Sequence, residues 1–293
     1  MSAGSLCARD ILLRLTGRFF RRGLAFVLIL LGTLWAQTVA PDGTQDNVLP
    51  SPCASLAVGT PHADALRKVC EYAVSLPTRI PDFTCEQHTA RYLDGEASDV
   101  VTAEVSYLDG KESYRNIKSN GQPVTDVARL NSHTWSTGQF GADIRGLFDG
   151  NKVTFELDNA SGDRATLVFH YAIEQQDVPV WRIHMWGKVA TPPYHGELRI
   201  DKKTGELRQL QIATTRLPED FPLHSADLLI DYGEVPFGDG TSFLLPLRTV
   251  VNALTRGGRK NRNVLEFHNC HKFRATARIL PQSDTQSSPP DRM

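Results

Sequence analysis

Apolar and polar residues alternate on both sides of a short polar stretch within residues 196–213. In the first arm Leu198 and Ile200 share one face, and charged residues occupy the other. The alternation returns after the segment D-K-K-T-G. Period-two alternation interrupted by a Gly-containing loop predicts a β-hairpin. Gly205 can take the positive φ that closes such a loop, and the Asp201 carboxylate can bond the turn backbone.

The same patterns along the rest of the chain predict about ten strands and two helices. The helices are expected at 61–76 and 135–148, with Pro77 and Pro81 ending the first. Strands are expected at 83–92, 99–108, 111–118, 153–157, 165–173, 180–189, 226–232, 242–254 and 264–280, besides the two hairpin arms. Early helices followed by mostly consecutive strands favour an α+β domain with a large antiparallel sheet. Pro246 indicates an edge position or a bulge in its strand.

The first 40 residues have the pattern of an export signal. An arginine-rich start leads into an apolar run of about 13 residues, short of the roughly 20 that span a bilayer. We therefore predict a signal peptide at 1–40 and a periplasmic or secreted mature chain; an uncleaved N-terminal anchor is the alternative. Residues 41–60 are predicted to be a flexible linker, 61–281 a single domain and 282–293 a disordered tail.

The charge composition limits the kinds of molecule that this chain is expected to bind. The formal net charge is −1, but the first 40 residues carry five arginines and one aspartate, so the remainder has 27 basic and 32 acidic residues. A mildly acidic mature chain lacks the basic footprint of a general nucleic-acid binder. The basic, Gly-rich segment 256–262 is expected to be a hairpin tip, or alternatively a contact for an anionic membrane. Trp181 and Trp186 are expected to fill the core or to line an apolar pocket.

Four cysteines remain after the signal peptide: Cys53, Cys70, Cys85 and Cys270. An even number in an oxidising compartment favours disulfides. Three pairings are open, and so is a chain with buried thiols. We favour Cys53–Cys70 with Cys85–Cys270, because the second bridge would join the first strand to the last.

Residues that could carry chemistry are scattered. His268, Cys270 and His271 do not converge on one side of a strand, as a zinc site requires. Asp227 and Asp231 share a strand face, and we expect them to line its solvent side rather than to act as an acid–base pair. No catalytic residue, metal or cofactor is predicted, and a secreted hydrolase is the weakest of the functions considered.

Several segments resemble a group of uncharacterised secreted bacterial proteins. They include F-T-C-E-Q at 83–87, S-Y-L-D-G-K-E-S-Y-R-N-I at 106–117, W-S-T-G-Q-F-G at 135–141 and N-V-L-E-F-H-N-C-H-K-F at 263–273. The hairpin I-D-K-K-T-G-E-L is more distantly similar to a piece of the periplasmic lipoprotein carriers of the LolA-like fold. That resemblance implies a curved, half-open barrel closed by helices, with an apolar concavity for acyl chains.

Two binding functions follow as expectations. The first is a module that holds a lipid or lipidated segment against the inward side chains, namely Val105, Tyr107, Leu167, Phe169, Leu198, Ile200 and Leu210. The second is a structural or protein-interaction component of the envelope, which would pair with a partner through an edge strand at 244–251.

Overall fold

The computed structural model of the protein describes residues 53–54, 56, 61–124, 137–148, 150, 152–160, 164–178 and 181–273. All of these belong to the unit Val48–Met293. The predicted signal peptide, most of the predicted linker and the predicted C-terminal tail lie outside the described residues. Within the described ranges, no helix has the length and apolarity needed to span a membrane.

The described elements are two helices and thirteen strands. The helices are α1 (Ala63–Arg79) and α2 (Ala142–Arg145), with α2 lying between β4 and β5. The strands are β1 (Phe83–Leu93), β2 (Glu96–Leu108), β3 (Lys111–Ser119), β4 (Gln122–Pro123), β5 (Thr154–Leu157), β6 (Thr166–Ile173), β7 (Ile183–Met185), β8 (Lys188–Ala190), β9 (Tyr194–Asp201), β10 (Leu207–Thr214), β11 (Leu223–Pro236), β12 (Ser242–Thr255) and β13 (Lys260–Lys272).

Eleven of the strands form one antiparallel sheet in the order β4-β3-β2-β1-β13-β12-β11-β10-β9-β6-β5. The sheet is curved and does not close, so it is a half-open barrel, and the predicted α+β class is confirmed. The strand predicted at 180–189 is instead the separate hairpin β7–β8. Trp186 and Gly187 take φ values of 49° and 76° there, which turns the chain back on itself.

Both helices depart from their predicted bounds. α1 continues through Pro77 to Arg79, because a proline in the last turn removes only one backbone hydrogen bond. It ends at Ile80, which is extended, as the residue before Pro81 prefers to be. In the described part of the second predicted helix only Ala142–Arg145 is helical, and the glycines at 138, 141 and 146 explain the short length.

The predicted hairpin is confirmed in detail as β9–β10. Leu198 lies opposite Leu210 in the register. Asp201 Oδ1 accepts hydrogen bonds from the backbone N–H groups of Lys203 and Thr204, each at 2.9 Å. Gly205 has a φ of 75°, the positive value that was expected. Local turn chemistry therefore sets this element.

Acid should weaken this turn only when the pH falls below the range in which ordinary carboxylates are protonated. Backbone hydrogen bonds and Arg208 lower the pKa of Asp201 to about 2. A depressed pKa in the folded state gives stability that is present above the unfolded value near 4 and is lost as the pH falls towards 2. We expect Asp201→Ala to lower the melting temperature at pH 6 and to change it little at pH 2. A difference that persists unchanged at pH 2 would contradict this account.

The edge predicted at 244–251 is wrong. These residues belong to β12, which is hydrogen-bonded on one side to β13 and on the other to β11. The alternative reading of Pro246 is confirmed, because the register with β11 shifts between Asp231 and Tyr232, leaving Leu247 as an extra residue. A bulge accommodates the missing N–H of a proline inside a sheet. The hypothesis of a protein-interaction component depended on an exposed edge strand at 244–251, and that support is removed.

The favoured cysteine pairing is confirmed. Cys53 is bonded to Cys70, which ties the residues before α1 to the middle of that helix. Cys85 is bonded to Cys270, which joins β1 to β13. Two bridges fit an oxidising compartment, as expected for an exported chain.

Candidate functional site

All seven residues predicted to face a ligand are buried on one side of the curved sheet, which we call the inner face. Their exposed fractions are 7% or less. Leu198 is flanked by Phe169 on β6 and Leu210 on β10. Val105 and Tyr107 lie on β2, five strands from β10, yet all seven join a single apolar cluster across the curvature of the sheet. Curvature therefore brings the seven into one continuous surface.

Two pieces of chain cover the inner face. One is α1, which buries Leu66, Val69, Cys70, Ala73 and Leu76. The other is residues 137–148, which we call the cover segment and which buries Phe140, Ile144, Leu147 and Phe148 in the same cluster. Of the seven predicted residues, Leu167 borders an open cavity of about 450 Å³ beside the start of α1. In this structure α1 and the cover segment pack against the inner face and bury it.

Glu112 attaches the cover segment to the sheet. It lies on β3 opposite Tyr107, and its carboxylate accepts hydrogen bonds from the backbone N–H groups of Gly138 and Phe140, each at 2.8 Å. The hydroxyl of Tyr114 donates a third at 2.6 Å. Burial raises the pKa of Glu112, and the three hydrogen bonds partly oppose that rise. One partly buried side chain thus holds the start of the cover segment.

A second carboxyl group, Asp143, lies within the cover segment and is itself buried. Burial first, and then the charge of Glu112, raises the pKa of Asp143 to about 8. Its Oδ2 atom has no hydrogen-bond partner among the described residues, and neither do the buried hydroxyls of Tyr107 and Tyr232. Unpartnered buried polar atoms cost about 1–3 kcal/mol each. The closed state therefore carries an energetic penalty beneath its cover.

Loss of the proton from Asp143 should make the protein less stable at alkaline pH. Its folded pKa lies above the ordinary value of 3.8, so the folded state holds an extra proton between those limits. The resulting stability is complete below pH 4, declines as the pH rises and is gone above about 8. In Asp143→Asn, which keeps the shape without the charge, we expect this decline to disappear. Urea unfolding at pH 5 and pH 9 tests this expectation. If the free energies of unfolding of wild type and variant differ by the same amount at both pH values, the assignment is contradicted.

Tyr171 on β6 reaches across Gly196 on β9 to a backbone carbonyl of β10. Its hydroxyl donates to the backbone carbonyl of Gln211 at 2.6 Å. The side chain passes over Gly196, where a Cβ atom would lie 2.7 Å from that hydroxyl and 1.8 Å from the carbonyl oxygen. Only glycine allows this approach.

Sequence reasoning missed the polar groups of the site. Glu112, Asp143 and Tyr232 were not singled out. For Glu112 the reason is that a carboxylate on an alternating strand usually faces solvent. One signal was present: the segments 106–117 and 135–141, quoted separately above, contain Glu112 and the two backbone groups that it binds. Their contact depends on long-range folding, which local patterns do not report.

The other candidate constellations do not converge. Cys270 is in a disulfide, and His271 shares a 2.8 Å hydrogen bond with Thr84. Within the described residues, no group of three or more His, Cys, Asp or Glu side chains could hold a metal ion. Asp227 accepts a hydrogen bond from Asn252, and Asp231 accepts one from Gln209, so each has its own partner on the sheet.

Comparisons with known proteins add a single structural likeness to this description. No family model matches the chain, and no curated protein matches it. Among solved structures, a LolA superfamily protein from Nitrosomonas europaea is similar over 72% of this chain and 94% of its own. The two chains are 11% identical, with a TM-score of 0.39.

Proposed function

We propose that this is an exported envelope protein that holds a lipid or a lipidated segment against the inner face of its sheet. The observation that carries the proposal is the cover: a continuous apolar face is closed by one helix and one short segment rather than by a second sheet. Disulfides at both ends of the described chain support an oxidising, extracytoplasmic setting.

The energetics permit exchange between cover and ligand. The four buried side chains of the cover segment contribute about 1.5–3 kcal/mol each, or roughly 6–12 kcal/mol together. An acyl chain of about 14 methylenes, at roughly 0.8 kcal/mol each, would contribute about 11 kcal/mol. Because the two amounts are similar, an acyl chain can replace the cover segment with little net change in free energy.

The polar groups under the cover suit the same ligand. A lipid has an apolar chain and a polar end, and the apolar cluster of the inner face includes two buried tyrosine hydroxyl groups without a partner among the described residues. The free hydroxyls of Tyr107 and Tyr232 would find partners on a ligand ester or amide. Binding would thereby relieve the penalty that the closed state carries.

The test is to export the full chain into the periplasm of a Gram-negative host and to analyse the purified protein by native mass spectrometry. Solvent extraction then identifies whatever is bound. A phospholipid or acylated peptide at a near-stoichiometric level is the expected result. A ligand-free mass, together with no uptake of the apolar fluorophore 1-N-phenylnaphthylamine, would overturn the proposal.

A matched pair of variants makes the fluorophore assay specific to the inner face. Phe140→Ala removes an aromatic ring from the cover segment and should strengthen fluorophore binding. Phe221→Ala removes an equally buried ring from a separate apolar cluster near the loop before β11. It should destabilise the protein without changing fluorophore affinity. Equal gains in both variants would indicate general loosening rather than opening of the inner face.

A further inference from the structure

Two open cavities lie along α1, on the side where the helix meets the turn between β9 and β10. The smaller, of about 450 Å³, follows residues 62–68 and borders Leu167 of the inner face. The larger, of about 550 Å³, follows residues 68–80. Both volumes fall within the range of small-molecule sites in proteins. The pair therefore accompanies the helix along its whole length.

The floor of the larger cavity is made by the apolar cluster of the inner face itself. The buried cluster residues that line the cavity are Val69, Leu76, Ile80 and Leu207, and the partly buried residues packed on the cluster that also line it are Tyr72, Phe243 and Leu244. No described residue of the cover segment lines this cavity. The cavity therefore meets the apolar cluster at a place that the cover segment does not occupy.

Charged side chains of both signs surround this floor. They are Lys68, Glu71, Arg79, Glu206 and Glu234, and all except Glu206 are exposed. Glu206 is within 3.7 Å of Arg208, and Glu71 is within 3.8 Å of Arg67. Mixed charges at the rim of an apolar floor favour a neutral apolar chain over an ion, because the opposite signs offset each other.

One side chain separates the two cavities. Lys68 lines both of them, and so does Gly205 in the β9–β10 turn. The stem of Lys68 crosses Gly205, where a Cβ atom would lie 2.7 Å from the lysine Cδ and 3.2 Å from its Nζ. Lys68 is exposed, and its side chain forms no hydrogen bond or ion pair with a described residue. A change of rotamer therefore moves it and joins the cavities into one groove.

We propose that an acyl chain binds first in this joined groove, which we call the α1 groove, and that Lys68 is the side chain that moves to admit it. The inference rests on the proposed function, because it takes the cargo to be acylated. It places the first contact beside α1 rather than beneath the cover segment. The floor of the α1 groove is continuous with the inner face, and a lysine stem covers apolar surface while its ammonium stays in water.

A palmitic acid that carries a photoreactive diazirine near the end of its chain tests this inference on the exported, purified full chain. Light should attach the probe to residues 68–80 of α1 or to residues 242–244 of β12, which peptide mass spectrometry identifies. Ser75→Trp places a large ring in the larger cavity and should weaken palmitate binding at least about tenfold. Val74→Trp adds the same ring to the neighbouring position outside the cavity and should bind like the wild type.

The rate of uptake tests the role of Lys68. Lys68→Ala should take up palmitate about tenfold faster than the wild type, since no stem has to leave Gly205. Lys203→Ala removes an exposed lysine of the same turn that lines neither cavity, and its rate should be unchanged. An unchanged rate in Lys68→Ala would remove Lys68 from the proposal.

The label positions in the wild type need no variant and decide between this inference and the proposed function. A wild type that binds neither palmitate nor 1-N-phenylnaphthylamine overturns both. Palmitate that labels only the cover segment, at residues 137–148, overturns the α1 groove and leaves the proposed function standing. Equal binding by Ser75→Trp and Val74→Trp has the same meaning.

Discussion

Replacing Glu112 by alanine is expected to detach the start of the cover segment and to destabilise the protein by about 3 kcal/mol. The change removes three hydrogen bonds and leaves the N–H groups of Gly138 and Phe140 without their acceptor. Bonds to a charged acceptor are worth about 1.5–3 kcal/mol each, and relief of the buried charge returns part of that sum. Urea unfolding measures the stability, and hydrogen exchange should show lost protection at residues 138 and 140.

The matched control is Glu104→Ala on the neighbouring strand. Glu104 is a partly exposed carboxylate that contacts Arg115 and Asn116, so its loss should change stability by less than about 1 kcal/mol. Glu112→Gln should fall between the two, because its amide oxygen still accepts while its NH₂ group cannot. Unchanged exchange at 138 and 140 in Glu112→Ala would show that something else holds the cover segment.

The same variant separates stability from function. If the cover segment gates the inner face, Glu112→Ala should take up 1-N-phenylnaphthylamine faster than the wild type under conditions where both are folded. Lower stability with normal uptake would show that the cover segment does not gate the inner face.

Gly196→Ala is expected to be the most damaging single methyl addition in the chain's sheet. The new Cβ atom would meet the Gln211 carbonyl oxygen at 1.8 Å, so β9 must separate from β10 or Tyr171 must abandon its hydrogen bond. Overpacking of this kind, together with the lost hydrogen bond, should cost more than about 3 kcal/mol. Thermal and urea unfolding measure the loss.

Two further variants test whether the steric clash or the lost hydrogen bond causes the loss of stability. Gly257→Ala adds the same methyl group where the nearest atom, Thr255 Oγ1, is 3.8 Å away, and should be nearly neutral. Tyr171→Phe removes only the hydroxyl and should cost about 1 kcal/mol. If Gly196→Ala is no worse than Tyr171→Phe, strand separation does not occur and the hydrogen bond accounts for the whole effect.

Elements set by neighbouring residues were predicted from sequence with good accuracy. The β9–β10 hairpin, its Asp201 turn and the positive φ of Gly205 follow from alternation and from turn chemistry within a few residues. The seven inner-face residues share a side because side chains alternate along every strand. The cysteine pairing was correctly preferred, although two other pairings were open on the same residues.

The pairing of strands in the sheet was harder to predict, because a strand's own sequence does not specify which strands lie on either side of it. Pro246 was compatible with an edge or a bulge, and only the pairing of β12 with both β11 and β13 decided for the bulge. Trp186 shows the same limit for exposure. An apolar residue predicts burial on average, and only the packing of its hairpin left this one in solvent.

By itself, the sequence determined many of the local elements and the apolar side of each strand, since these depend on neighbours along the chain. The tertiary structure decided the curvature that gathers the inner face, the contact between Glu112 and the cover segment, and the exposure of Trp186 at the tip of its hairpin. These arise between residues far apart in sequence, whose proximity is fixed only when the sheet pairs and the core packs.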